Sequence, residues 1–458
     1  MNLHALLMAR RDRPIRVGLI GAGKFGSMFL AQALHRPGIH VMGIADLAPD
    51  RARAALAATG WPAARYEAAS FDEALRRGSL HIVESAEELI AADGLDVVID
   101  ATGVPAAGIE HVLACCAYKR HIVMVNVEAD ALAGPLLARK AREAGIVYSM
   151  AYGDQPALIH EMVDWARACG LTVIAAGKGT RYLPAFHAST PDTVWEHYGI
   201  SANRAAVAGM NPRMFNSFLD GTKSGIEMTA VANACDLTPA PGGLAFPPCG
   251  SGELARTLIP ADDGGVLHHK GQVEVIAAES RDGRELVDNL RWGVWVTFEA
   301  PSDYAVRCFE EYGLITDPSG RYSALWRPYH LIGLELGVSV AYAGLLGEAT
   351  GAPDAFRADV VATAKRDLKA GEMLDGEGGY TVWGKLMPAA VSLAVGALPI
   401  GLAHGVALKR PIAKGQTVRW DDVTVDAANI AVRTRREMEA VFAPVPTSVS
   451  PQPLHRQA

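Results

Sequence analysis

From residue 15 onward the chain alternates short β-branched runs with longer segments whose apolar positions recur at helical spacing. The runs at 15–20, 41–45, 97–100, 122–126 and 146–148 predict strands. Such alternation predicts a parallel, doubly wound sheet. Pro37 and Gly38 close the first helix before the second strand, and residues 91–94 lead into the buried run at Val97. This first unit is expected to span 1–152.

After Gly153 the texture changes. Strands are predicted at 172–176, 273–276 and 294–298, and one helix over 214–234. Val294, Val296 and Phe298 would share one face of a half-exposed antiparallel sheet packed on helices. An apolar helix over 331–346 is expected to return and pack on the first unit, closing a second unit over 153–350. Residues 347–353 have linker composition. Beyond them lies a weak repeat, in which Lys365 to Leu374 aligns with Lys409 to Val418 in the frame Lys-Arg-x-apolar-x-x-Gly-x-x-apolar. Each copy should form a strand, a glycine turn and another strand, giving a small β-rich unit over 354–443. The tail 444–458 lacks apolar periodicity and is expected to be disordered. The fold class is therefore α/β, with a doubly wound N-terminal domain, an α+β domain with an open sheet, and a small C-terminal β-rich domain.

Composition narrows the functional classes. At 458 residues the chain needs two or three cores. A net charge of −7 argues against a sequence-independent nucleic-acid binder and for a small-molecule partner. The six cysteines lack metal-ligand spacing and read as reduced thiols of a cytoplasmic protein. The arginines at 10, 11 and 13 interrupt any secretion signal, and the longest apolar stretch, 389–403, is too short to span a bilayer.

The strongest local motif is Gly21-Ala22-Gly23-Lys24-Phe25-Gly26, directly after the first strand and opening a helix. Gly21 would make the tight turn, Gly23 would admit a pyrophosphate, and Gly26 would let helix and strand pack closely, with free N–H groups at the helix start. This context predicts a dinucleotide site that includes Lys24 and Phe25. Asp46, ending the second strand, could accept both adenosine ribose hydroxyls and so favour NAD. Arg51 could pair with a 2′-phosphate instead, so NAD and NADP both stay open. Ala101-Thr102-Gly103 and Asn126, after later strands, are further candidates for cofactor contact.

With these residues placed, the chain resembles the homoserine dehydrogenase-like superfamily carrying a C-terminal SAF (β-clip) domain, and more narrowly the bacterial deoxyxylulose-5-phosphate reductoisomerase-like proteins. The resemblance rests on Arg16 to Gly26, Tyr152 to Pro156, Met214 to Glu227, Leu267 to Gly271 and Lys365 to Gly379. It implies an NAD(P)-dependent oxidoreductase acting on a polyhydroxylated, sugar-derived substrate, phosphorylated in the reductoisomerase case, where the activity would belong to isoprenoid biosynthesis. It also implies a homodimer or larger homo-oligomer, and for a rearrangement a divalent magnesium or manganese ion. Homoserine dehydrogenase is the alternative, although Asn126-Val127-Glu128 departs from the Asn-Lys pair of those enzymes. A non-catalytic cofactor-binding sugar sensor is the alternative from another class.

Hydride transfer to a carbonyl needs a proton donor near its oxygen, and a lysine with a lowered pKa can supply one. Lys223 is the first candidate, with Asp220 three residues earlier on the same helical face to orient it. The resemblance points to the same two residues. Lys178, between Gly177 and Gly179 after an apolar strand, is a candidate for binding a substrate phosphate or carboxylate. Glu128 and Asp154 follow expected strand ends, where open α/β sheets place ligands, and either could hold a substrate hydroxyl or a metal. His330, just before the returning helix, could relay a proton.

Overall fold

The computed structural model describes residues 2–207 and 209–443, so the expectation for 444–458 lies outside the described residues. Six strands form the first sheet: β1 (Ile15–Ile20), β2 (Ile39–Ala45), β3 (His81–Val83), β4 (Val97–Asp100), β5 (His121–Met124) and β6 (Tyr148–Met150). Their order is β3-β2-β1-β4-β5-β6, and all neighbours pair in parallel. Helices cover both faces, which is why β1 and β4 read as nearly continuous apolar runs. The chain reverses direction between β1 and β4, opening a crevice at their carboxyl ends. Three-residue β3, at the sheet edge, was too short to stand out in the sequence.

The second sheet contains β7 (Thr172–Thr180), β8 (Gln272–Ala277), β9 (Val294–Glu299) and β10 (Tyr322–Arg327), in the order β10-β9-β7-β8. It is mixed rather than antiparallel, because β7 and β8 run parallel. It is also buried on both faces. Val294, Val296 and Phe298 pack against helical Met228, Val231 and Cys235, whereas Trp295 on the opposite face packs against Leu254, Leu258 and Ile259.

Two expected helices differ from the sequence reading. The 214–234 segment is two helices, Pro212–Leu219 and Thr222–Cys235, parted where Gly221 takes φ 92°. The returning segment becomes helical only at Gly337–Ala341 and continues as a π-turn through Tyr342–Leu346. It does pack on the first sheet, burying Leu336, Val340 and Ala343 with Val17, Leu19 and Phe29.

The C-terminal strands are β11 (Ala358–Ala364), β12 (Met373–Asp375), β13 (Val382–Pro388), β14 (His404–Leu408) and β15 (Val423–Thr424). β11 pairs with β13, and β12, β14 and β15 form a separate small sheet. The repeat has a physical basis. Equivalent residues Leu368 and Ile412 exchange backbone hydrogen bonds of 2.8 and 3.0 Å. Gly371 donates to Leu408 just as its counterpart Gly415 donates to Ala364. The two copies thus pair about an internal pseudo-twofold axis, each turning on a glycine near φ 80°. In the second copy the residues after the glycine form an isolated bridge, Thr363 to Thr417, where a full strand was expected.

Candidate active site

The glycine turn has the geometry its spacing implies. Gly21 lies at φ 92°, and a Cβ there would stand 2.9 Å from the Ala101 carbonyl oxygen. A Cβ on Gly26 would collide with the Gly21 carbonyl oxygen, so only glycine lets the helix Lys24–Ala33 start this close to β1. Around Gly23 there is open space, with nothing within 4 Å of an added Cβ. The turn therefore fits a pyrophosphate at the exposed helix start. Lys24 is exposed there, while Phe25 is partly buried against the core.

Asp46 is not free to receive a ribose. Its carboxylate accepts from the Ala22 and Ala48 amides, each at 2.8 Å, and Arg51 grips both oxygens at 2.7 and 3.2 Å. The Asp46 side chain is fully buried, whereas that of Arg51 is 58% exposed. A cation, and not the expected carboxylate, thus faces solvent at the end of β2. Ala101, Thr102 and Gly103 lie alongside the glycine turn, as the Gly21–Ala101 approach shows. Asn126 works inside the framework. Completely buried, it donates to the Val104 carbonyl at 2.9 Å and to Thr102 Oγ1 at 3.1 Å, and accepts from the Ala129 amide. It forms a strut between the β4 and β5 loops.

Lys223 leaves the Thr222–Cys235 helix toward the carboxyl end of the first sheet. There its Nζ meets Glu128 Oε1 at 2.5 Å, in the first turn of the helix that follows β5. The partner expected from helical spacing, Asp220, is absent from this pair. Gly221 breaks the helix, so Asp220 caps the next one through the Thr222 amide (2.8 Å) and pairs with Lys365 of the C-terminal unit (2.7 Å). A second correction concerns protonation. Burial would lower the Lys223 pKa, but Glu128, Glu227, Glu377 and Asp154 outweigh it and hold the ammonium well above the ordinary lysine range. Lys223 is a fixed cation, not a lysine poised to give up its proton.

Lys178 lies inside β7 and not in a loop after it. Cβ atoms on Gly177 and Gly179 would strike the Glu274 and Leu290 carbonyl oxygens, so these glycines admit neighbouring backbone instead of a ligand. Lys178 is buried and pairs with Glu227. Burial opposes ionisation of Glu227, yet Lys178 and then Lys223 outweigh it and keep the carboxyl below its usual range. Asp154 caps the helix Gln155–Ala168 through the Gln155 amide and is buried. Burial, with the Glu227 charge added, pushes its carboxyl up to about 6. His330 stands within electrostatic range of Asp154 and Glu227, with Nδ1 committed to the Trp292 carbonyl at 2.8 Å.

Three contributors escaped the sequence reading as site residues. Glu227 lies four residues after Lys223, one helical turn on in the same helix Thr222–Cys235, and that spacing was the available signal. Lys365 lay within the repeat. Glu377 is carried by Gly376-Glu377-Gly378-Gly379, whose glycines at 376 and 378 adopt φ 73° and 62°. That glycine cluster was the available signal. Glu377 faces Lys223 and Glu128, and burial followed by Glu128 pushes it up to about 7. The donor set does not suit a metal. Glu128 and Glu227 are paired with lysines, Asp154 caps a helix, and no group of three His, Cys, Asp or Glu among the described residues is arranged to hold an ion.

Residues 15–125 match the family described as oxidoreductase family, NAD-binding Rossmann fold, and residues 153–336 match oxidoreductase DRL, catalytic domain. The chain joins two oxidoreductase modules. The DRL module supplies Lys178, Lys223 and Glu227, and the Rossmann module supplies the glycine turn. No curated protein sequence matches the chain. Among solved structures it is similar to a probable dehydrogenase from Thermotoga maritima (17% identity, 39% of this chain, 48% of that one, TM-score 0.28). It is also similar to the WlbA dehydrogenase from Bordetella pertussis, solved with NADH and UDP-GlcNAcA (21%, 37%, 48%, 0.27). A third is scyllo-inositol dehydrogenase from Lactobacillus casei, solved with NAD(H) and scyllo-inositol (10%, 40%, 50%, 0.27). The chain spans about half the length of each. The family models, and not these partial superpositions, carry the assignment.

Proposed function

We propose that the protein is an NAD(P)-dependent dehydrogenase that interconverts an alcohol and a carbonyl on a small polyhydroxylated substrate. The observation that carries this is the Lys223–Glu128 pair, which sets a permanent cation where the catalytic helix meets the carboxyl end of the Rossmann sheet. Gly21, Gly23 and Gly26 would hold the dinucleotide, which supplies or accepts a hydride when bound.

The chain's own residues then divide the remaining work. Lys223 donates hydrogen bonds to the substrate oxygen and stabilises the charge that builds on it during reduction. Glu128 and Glu227 keep the lysine protonated. The proton itself comes from a carboxyl that titrates near neutrality, and buried Asp154 has the required value. Substrate hydroxyls suit a site rich in paired carboxylates and ammonium groups. Because the carboxylates do not fit a metal ion, simple dehydrogenation is favoured over a metal-assisted reductoisomerase rearrangement, and Lys223 in place favours an enzyme over a sensor. The resemblance leaves homoserine dehydrogenase as the alternative substrate reading.

The test has two stages. Quenching of protein fluorescence on titration with NADH and NADPH reads cofactor binding. Absorbance of the reduced nicotinamide then reads turnover on sugar acids, sugar phosphates, polyols and homoserine. Dinucleotide binding with turnover on a polyol or sugar acid supports the proposal; no binding of either dinucleotide ends it.

A further inference from the structure

A large cavity lies away from the glycine turn. An open cleft of about 1010 Å³ lies at the opposite edge of the first sheet, beside Ile15 and Arg16 at the start of β1, Ile39 and His40 at the start of β2, and the residues just before β4 and β5. Its volume is at the upper end for a small-molecule site. Among the charged residues lining it, Asp96 is the one carboxylate, against Arg10, Arg13, Arg16, Arg36, Arg65, Lys119 and Arg120. On a chain with net charge −7, this concentration of cations needs a reason.

Helix ends explain part of it. In a doubly wound fold helix C-termini gather at this edge, and cations there complement the helix dipole. Lys119 donates to the Ala144 carbonyl at 2.9 Å and Arg120 to the Ala92 carbonyl at 2.8 Å, both at helix C-termini, while Arg36 is held by the Leu334 carbonyl at 2.8 Å in the turn before the helix Gly337–Ala341. Arg16 is paired with Asp96 at 3.1 Å. The same account does not reach Arg10, Arg13 and Arg65. All three are exposed, and none has an anionic partner among the described residues. Arg65 rests over the Trp61 ring at 5.8 Å, which fixes its guanidinium without neutralising it. Arg16 and Arg65 both act electrostatically on His40, so they flank one part of the cleft.

We infer that this cleft binds a polyphosphate anion, free or as part of a nucleotide. Guanidinium forks match phosphate oxygens two at a time, and a concave, single-sign surface concentrates the field on one ligand. A single phosphate would leave most of the cleft empty, whereas a chain of phosphates spans the separated arginines.

Isothermal titration of the full chain with sodium tripolyphosphate, and separately with ATP, tests this at matched ionic strength. A saturable site that persists in Gly23→Val is expected, weakening as salt rises. Tighter binding of ATP than of tripolyphosphate identifies a nucleotide, and the reverse order the free anion. The double variant Arg13→Gln, Arg65→Gln should weaken binding by roughly tenfold or more. Gly23→Val should leave it unchanged, because the glycine turn lies at the other edge of the sheet; this separates the inference from the dinucleotide reading. Circular dichroism verifies that both variants stay folded. Heats no larger than those of sulfate, equal affinity in the arginine variant, or loss of binding in Gly23→Val would overturn it.

Discussion

Lys365, in the turn after β11, places its ammonium 2.7 Å from the carboxylate of Asp220, and the two side chains are 2% and 0% exposed. The same ammonium donates to the Ser189 carbonyl at 2.8 Å and the Gly379 carbonyl at 2.7 Å. Asp220 in turn caps the helix that carries Lys223. The C-terminal unit is thereby tied to the helix Thr222–Cys235.

Removing one side of that pair should be costly. Lys365→Met leaves a buried carboxylate without its counter-ion, a loss of about 3–5 kcal/mol. Adding Asp220→Asn should recover part of the loss, since no charge is then stranded. Chemical denaturation of the single and double variants checks both statements; equal stability of wild type and Lys365→Met would show that the pair does not hold the units together.

Gly23→Val should abolish dinucleotide binding and leave the fold intact. An added side chain meets no protein atom within 4 Å, so its bulk falls only in the space a pyrophosphate needs. Fluorescence titration with the reduced dinucleotides and a thermal melt together measure this.

Lys223→Met should lower turnover by about 100- to 1,000-fold, the usual loss for a donor aimed at a developing oxyanion. Cofactor affinity should change little. A variant with unimpaired turnover would assign the oxyanion donor to another residue.

The pH profile follows from Asp154. Its carboxyl is raised from 3.8 to about 6, so the protonated form persists in the folded state between those values and is lost as pH rises through about 6. Carbonyl reduction, which consumes that proton, should decline as pH rises through about 6, and Asp154→Asn should abolish the decline along with most of the activity. The sign for stability is the same. The folded state binds the extra proton between pH 3.8 and about 6, so Asp154 contributes less stability as pH rises through that range.

Arg51→Ala should shift cofactor preference toward NAD. The change removes the cation at the end of β2 and frees the Asp46 oxygens it grips at 2.7 and 3.2 Å. A change of about tenfold in the NADH to NADPH affinity ratio is expected, equivalent to one charge-assisted hydrogen bond. An unchanged ratio would mean that Arg51 never meets the adenosine.

The sequence by itself determined the parts governed by local rules. Buried parallel strands need continuous apolar runs, so β1, β2 and β4 stood out; a turn at φ 92° and a helix packed hard against it need glycine, so Gly21 and Gly26 announced the dinucleotide site. The repeat was legible because both copies need glycine at φ near 80°, at 371 and 415. Tertiary structure decided the charge pairing. Helical spacing placed Asp220 beside Lys223, but one positive-φ glycine turned Asp220 away to Lys365, 145 residues on, and left Lys223 to Glu128 on another module. Partners so distant in sequence leave no periodic trace. Protonation followed the same logic: the pKa of Lys223 depends on which carboxylates surround it after folding, and burial alone would have moved it the other way.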